Sequence, residues 1–465
     1  MTPPLDLSGL NEADKDALIL AQAQAIALLT EQLKMFSAEA AVLHAKVAEL
    51  EAKLNVPSKT PGNSSKPPSQ GQKSSEESKQ QGRRKSHRGA HRALHPSPTS
   101  RRDVVAGQCE HCGTDVSGQS QSVCEAYDHI EIPEIKPDVT RVSLMGGVCP
   151  CCAGKFKAAP PQDMPRGSPF GPNLRALAIY LRFTQAISFE RLARLLSDML
   201  GLAISEGALV NILDAARHAF GAAQSTIRNR LLAGSILASD ETGLRVGKKN
   251  WWFWVFHHGD SAVFVAEPSR AKTVVGDFLG EVRPDYWLSD RYGGQLGWAA
   301  KDNQVCLAHL IRDAQYAIEA GDDIFAPGLR HLFGRACRIG QRRPHLADAT
   351  LKSYEQRLDQ RLQALLNLTP VAMAGVKLQK SIRKCRRHLF TFVTHRDLEP
   401  TNNGSERALR PCAIFRKVTN GFRTPWGARL YADVRSVLET ARRRNIGALD
   451  AIRLTLGHQI LPLAP

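Results

Sequence analysis

Nowhere in the 465 residues does an apolar run reach the ~20 residues needed to cross a bilayer. The N-terminus lacks the basic-then-apolar pattern of a secretory signal. The expected compartment is the cytoplasm, where thiols stay reduced. Acidic residues are also short: 45 Asp and Glu stand against 62 Lys and Arg, a formal net charge of +17. Many soluble proteins are basic without binding nucleic acid, but an excess of this size favours a polyanionic partner. Each Lys or Arg beside a phosphate releases condensed counterions. Apolar residues make up 43% of the chain, enough for at least one large core among two to four domains.

What is present is segmented. Between 11 and 55 apolar residues recur at alternating steps of three and four: Ile19, Ile26, Leu29, Leu33, Phe36, Ala40, Leu43, Val47, Leu50 and Leu54, with Gln22 the one polar member. That period, held for about five heptads, predicts a coiled coil and a homo-oligomer. An amphipathic helix packed on its own domain would show the same stripe. Little core follows for it to pack on, because residues 56–102 are rich in Pro, Ser, Gln, Lys and Arg. A stretch of that composition reads as a disordered linker. From 59 to 102 it carries eleven Lys or Arg against Glu76 and Glu77, a net +9 suited to a phosphate backbone, or simply to a solvated tether.

Of the ten cysteines, six fall between Cys109 and Cys152. Residues 103–156 read as a small β module with candidate strands Tyr127–Ile132 and Thr140–Met145. Cys109-Glu-His-Cys112 and Cys149-Pro-Cys-Cys152 are two CxxC knuckles whose thiolates suit a structural tetrahedral zinc. Cys151 and His111 compete as ligands. Free cysteines in a small core are the plain alternative, though a module this small needs a staple. The scattered Cys306, Cys337, Cys385 and Cys412 read as core thiols.

Residues 168–225 read as three helices. Ser188 and Ser205 are caps, and Gly201 is a breaker between them. Arg191 and Arg194 precede the turn and Ser205 opens the next helix, a helix-turn-helix arrangement for DNA. Plain helix packing uses glycine turns as well.

From 232 to 425 the pattern turns mixed. Ser235–Asp240 is an apolar strand ending in a carboxylate, two more strands follow around His258-Gly-Asp260, and Tyr286–Asp290 is another strand ending in Asp. The order of strands and helix predicts a ribonuclease-H-like sheet. Asp240 and Asp290 at neighbouring strand ends, with Glu406 opening a later helix, offer hard oxygens for magnesium or manganese in a two-metal site. A lone strand-end Asp is more often a turn cap. Glu241 competes with Asp240, but alternation sends it to the other face. Arg407 and Arg410 follow Glu406 at phosphate-facing positions. His309, near Arg312, is an auxiliary candidate or a core histidine. Trp251, Trp252 and Trp254 read as core before they read as base-stacking groups.

Taken together, these motifs resemble the transposases of the insertion sequence sixty-six family. The resemblance rests on Asn63-Ser-Ser-Lys-Pro-Pro-Ser69, the paired knuckles, Ser239-Asp-Glu-Thr242, Ser289-Asp-Arg-Tyr292, Cys306-Leu-Ala-His-Leu-Ile-Arg312 and Asn402-Asn-Gly-Ser-Glu-Arg407. It continues through Arg410-Pro411 and Phe415-Arg-Lys-Val-Thr-Asn-Gly-Phe-Arg423. It implies a multidomain α/β chain: zipper, zinc module, helix-turn-helix, ribonuclease-H-like DDE core and 426–465 as C-terminal helices. It implies the triad Asp240, Asp290 and Glu406, with a helical insertion at about 313–398 before Glu406. It also implies a bacterial, nucleoid-associated enzyme that cuts and joins double-stranded DNA at element ends, working with small accessory proteins. Lys417 and Arg423 join the DNA-facing set through the last motif. An inactive DNA-binding regulator and a plain metal-dependent nuclease share the same residues.

Overall fold

The structure is a computed structural model describing residue 9 and residues 11–54, 56–64 and 92–463; in the first helix the side chains are described as far as Val47. The expectation for 65–91, the centre of the basic linker, and those for the Leu50 and Leu54 side chains lie outside the described residues. The chain divides into two compact units, one of described residues up to 64 together with 304–401, the other of 92–303 and 402–463.

The second unit holds the sheet. It begins with a short antiparallel pair, β1 (Gly146–Val148) and β2 (Lys155–Lys157). The expected strands at 127–132 and 140–145 do not form. Tyr127, Ile132, Val142 and Met145 stay exposed with no core to bury them. Three helices follow: α2 (Pro172–Phe183), α3 (Phe189–Leu200) and α4 (Glu206–Leu232). Ser188 Oγ accepts from Arg191 N and Ser205 Oγ from Ala208 N, so each hydroxyl caps the helix it precedes. Gly201, at φ +62°, ends α3 in the left-handed conformation. Leu192, Leu196, Ile204, Leu209 and Ile212 form the small core of this three-helix group.

The five-stranded sheet contains β3 (Ile236–Val246), β4 (Lys249–His258), β5 (Ser261–Glu267), β6 (Tyr286–Ser289) and β7 (Asp302–Val305), in the order β5-β4-β3-β6-β7. β3, β4 and β5 are antiparallel neighbours, and β6 runs parallel to β3. Gly247 and Lys248, both at positive φ, close the β3–β4 hairpin. β3 does not stop at Asp240, as the apolar run alone implied; its pairing with β4 carries it on to Val246 opposite Lys249. α5 (Lys272–Leu279) packs on one face, with Phe278 stacked on Phe256 at 3.8 Å.

Two late helices complete this unit's core: α11 (Asn403–Thr419) and α12 (Pro425–Arg443), followed by α13 (Ala448–Leu456). α12 lies along the edge strand. Ser436 Oγ accepts from Phe264 N at 2.8 Å and Thr440 Oγ1 from Ala262 N at 3.1 Å, which satisfies edge donors that would otherwise be open to another strand. After α11 the chain returns along β3: Phe422 N donates to Arg245 O and Gly247 N to Phe422 O, each at 2.9 Å. Gly421, at φ +101°, permits this approach, since a Cβ there would stand 2.3 Å from Arg245 O.

The first unit is helical. α1 (Glu12–Leu54) is a single 43-residue helix with its apolar stripe exposed as far as Val47. The others are α6 (Leu307–Glu319), α7 (Ala326–Arg342), α8 (Asp348–Leu366), α9 (Met373–Cys385) and α10 (Thr391–Thr394). Leu310, Phe325, Leu329, Phe333, Leu362 and Phe392 are fully buried among them. Buried Arg343 donates to the carbonyls of Phe392, His395 and Leu398 and so ties the ends of this helical group together. Among the described residues no helix is long and apolar enough to cross a membrane.

Candidate active site

Parallel register brings the first two carboxylates together. Ala238 stands opposite Leu288 across β3 and β6, and Asp240 and Asp290 each lie two residues further on. The paired register ends at Ala238 and Leu288, and Asp290 leaves the strand close enough for its charge to be felt at Asp240. Asp240 sits inside β3, whereas β6 ends at Ser289, so the sheet opens beside Asp240. Asp290 Oδ1 accepts from Tyr292 N at 2.7 Å, an Asx-type turn that fixes the departing chain.

Glu406 arrives from far along the chain in the first turn of α11. Its approach is set by a buried relay. Asn402 Nδ2 donates to Ser239 O at 2.8 Å, Ser405 Oγ donates to Asn402 Oδ1 at 2.6 Å, and His257 Nε2 lies 2.9 Å from the same hydroxyl. Ser405 and Asn402 are essentially inaccessible. Gly404 has its reason here too, because a Cβ would meet His257 Cε1 at 3.0 Å. The turn Pro400–Ser405 thus latches onto β3 one residue before Asp240 and onto β4 at His257. Sequence reasoning recognised the turn but missed His257, since nothing in the β4 pattern distinguishes it from its neighbours.

The electrostatics follow from this convergence. Burial pushes the Asp240 carboxyl well above its usual range, and the nearby charges of Glu241, Asp290 and Glu406 add to the rise; a hydrogen bond from Glu241 N opposes it. Buried anions that repel one another in this way lack a counter-charge. Burial also holds His257 well below the ordinary histidine value, with Arg443, His258 and Arg407 contributing, so its ring is neutral. Glu241 has a different environment. Its side chain is 1% exposed, pairs with Arg270 at 2.5 Å and accepts from Gln295 Nε2. Gln295 Oε1 in turn accepts from Ser239 Oγ, which accepts from Trp287 Nε1. Ser239 and Glu241 share the face away from Asp240, as alternation requires. Arg270 lies over the rings of Tyr292 and Trp252 at 4.0 and 4.8 Å, so Glu241 is committed to a structural ion pair.

Arg407, Arg410 and Lys417 are exposed along α11, and Arg423 is exposed beyond it. Arg191 and Arg194 are exposed on α3, Arg194 paired with Glu190 at 3.2 Å, while Ser205 is used as a cap. His309 and Arg312 lie at the start of α6 in the helical unit, both half-buried. Trp254 is fully buried and donates to Ser269 O, a core role; Trp251 is nearly so.

The cysteine knuckles share one geometry. Cys109 N donates to Thr114 O and Gly113 N to Cys109 O; Cys149 N donates to Gly154 O and Ala153 N to Cys149 O. Gly113 and Ala153 take the same left-handed φ, +74° and +53°. Hydrogen bonds from Thr114 and Cys109 lower the Cys112 thiol, and those from Cys152 and Cys151 lower Cys149, which favours the thiolates. Among the described residues no three His, Cys, Asp or Glu side chains stand close enough to hold an ion as they are, and this covers cysteines and carboxylates alike. The donor chemistry of each group still fits: paired thiolates for zinc, converging carboxylates for a hard divalent cation.

A mixed sheet with a carboxylate on each of two adjoining strands, completed by a late helix, is consistent with a DDE transposase domain. The family model described as transposase IS66 family matches residues 167–430, more than half of the chain, and the chain belongs to that family. No curated protein matches it. Membership identifies a transposase and a nucleic-acid-processing enzyme.

Proposed function

We propose that the protein cuts DNA at the ends of its element and joins the freed strands to new DNA, with Asp240, Asp290 and Glu406 as the triad. The observation that carries this reading is the buried Asp240 carboxyl in the field of Asp290 and Glu406, with Glu406 delivered by the Asn402–Ser405–His257 latch. The strand order, with the first hairpin strand in the centre and a parallel strand beside it, supports a ribonuclease-H-like core.

Two magnesium or manganese ions, when bound, activate the attacking oxygen and stabilise the leaving one in an in-line phosphoryl displacement. The chain's own work is to bring the three carboxyls together, and a bound cation would supply the counter-charge that lets Asp240 ionise. Arg407 and Arg410, one turn along the same helix, neutralise the strand's phosphates, and Lys417 and Arg423 extend that basic track. Arg191, Arg194 and the start of α4 serve as the helix-turn-helix contact with the duplex. Cys109, Cys112, Cys149 and Cys152 hold a structural zinc. Their segment buries little apolar surface, so an ion is the natural staple.

Through α1 two copies pair. In the heptad set by Ile19, Glu39 falls at a g position and His44 at the following e position. In a parallel, in-register pair Glu39 of one copy faces His44 of the other, a complementary contact that supports homo-oligomerisation.

The test is strand cleavage and joining on labelled DNA carrying the element ends, in magnesium, manganese or EDTA, for the wild type and Asp290→Ala. Metal-dependent joining lost in the variant is the expected result. Cleavage without joining would leave a nuclease, and binding without cleavage in any metal would leave a regulator.

A further inference from the structure

Away from the triad, α4 and the first half of α12 flank an open groove of about 760 Å³. Its walls carry Asp214, Arg217, His218, Trp426, Arg429 and Asp433. None of these takes part in the chemistry above. The groove is large enough for a nucleotide, by the ordinary size of small-molecule sites.

Each side chain is disposed for contact. Trp426 is half-buried and packed against the core, and the exposed Arg217 guanidinium lies over its ring, 5.7 Å from the centroid. Arg217 is also paired with Asp214 at 3.1 Å, but both side chains are more than half exposed, so that pair exchanges readily with another anion. Arg429 is exposed, and its guanidinium lies 5.9 Å from the Trp251 ring. Asp433 has no hydrogen-bond partner among the described residues, and burial pushes its carboxyl up to about 7, with Arg217 opposing the rise.

We infer that this groove receives an unpaired DNA base bearing an amino group, stacked on Trp426, with the amino edge donating to Asp433 and the attached phosphate held by Arg217 and Arg429. The inference rests on DNA being the substrate. Three chemistries converge on that ligand. An aromatic face takes any planar base, a carboxylate accepts from an exocyclic amine, and a guanidinium takes a phosphate. A basic peptide would satisfy Trp426 and Asp433 but meets two guanidinium groups. An acidic peptide meets Asp433 and Asp214. A nucleotide with an amino base meets no like charge at the base, and its phosphate finds Arg217 and Arg429, taking the place of Asp214 on the exposed Arg217 pair. Cytosine, adenine and guanine carry the amine; thymine does not.

The experiment is saturation-transfer NMR on the full chain with deoxycytidine, deoxyadenosine, deoxyguanosine and thymidine. Uncharged nucleosides keep the basic linker out of the measurement. The 5′-monophosphates follow as a second series. Wild type should favour the three amino bases over thymidine. Trp426→Ala should weaken them about fivefold or more, while Trp426→Phe retains them. Asp433→Asn should lose the discrimination against thymidine, and Arg217→Ala should remove only the monophosphates' advantage. Melting curves verify that each variant is folded. Equal binding of all four nucleosides, or unchanged binding by a folded Trp426→Ala, would overturn the proposal. Nucleoside binding requires neither metal nor cleavage. A wild type that joins element ends but ignores nucleosides therefore sinks this inference alone, and one that binds nucleosides but joins nothing sinks the transposition reading.

Discussion

Replacing Asn402 by alanine tests the latch apart from the proposed triad. The side chain is 1% exposed; it donates to Ser239 O at 2.8 Å and accepts from Ser405 Oγ at 2.6 Å. Its removal leaves the Ser239 carbonyl without that donor and the Ser405 hydroxyl with His257 alone. An orphaned buried polar group costs about 1–3 kcal/mol. Because Ser405 keeps one partner, the sum is about 2–4 kcal/mol. For a unit of this size that corresponds to a melting temperature lower by about 4–16 °C. The effect on activity should be larger than stability implies. Glu406 follows directly after the latch, and a displacement of about 1 Å at a reacting group costs on the order of 100-fold in rate. The assay is metal-dependent cleavage well below the melting transition, alongside thermal unfolding by circular dichroism. A variant that melts early yet cleaves normally would show that the latch supports the fold and not Glu406. Normal melting together with normal cleavage would refute the reasoning altogether.

Other outcomes follow from the same structure. Asp240→Ala, Asp290→Ala and Glu406→Ala should each abolish cleavage while gel-shift binding to element ends persists, and retained cleavage in any of them removes that residue from the triad. Asp240→Asn should raise the melting temperature in EDTA, because it removes a buried charge from the field of Glu241, Asp290 and Glu406; an unchanged or lower value counts against that repulsion. His257 has a depressed pKa in the fold, so the unfolded chain takes up its proton first. Its contribution is complete above its ordinary value of 6.5 and declines as the pH falls from there toward the folded value. Melting measured from pH 7.5 to 5 should drop less in His257→Gln than in the wild type, and parallel curves would exclude the histidine as the source. Deleting residues 1–55 should reduce the mass in solution to that of a single chain, with an unchanged mass sinking the pairing through α1.

Local chemistry was legible wherever it depends on neighbours in the chain. Ser188, Ser205 and Gly201 announced the helix limits between α3 and α4, because caps and left-handed turns act within a few residues. The cysteine spacing announced two knuckles, since each is closed by hydrogen bonds inside six residues. The same spacing could not bring the knuckles to one point, for nothing local fixes the 36 residues between Cys112 and Cys149. The apolar pattern through 127–145 suggested strands, but a strand persists only where a partner and a core receive it.

Tertiary structure decided the site. Asp240 and Asp290 were visible as carboxylates after apolar runs; that they come near one another follows from the parallel pairing of β3 and β6 just before them, which involves residues some fifty positions apart. The assignment of Glu241 to an ion pair depended on Arg270 and Gln295, whose positions no periodicity discloses. His257 shows the division most sharply. Within β4 it is one more strand residue, and it acquires its function only when α11 is laid across the sheet and Ser405 meets its ring. Sequence alone determined which residues had the chemistry to hold a divalent ion; strand register and the packing of one late helix determined which of them converge, because a carboxylate's charge is a property of the residue and its field is a property of the fold.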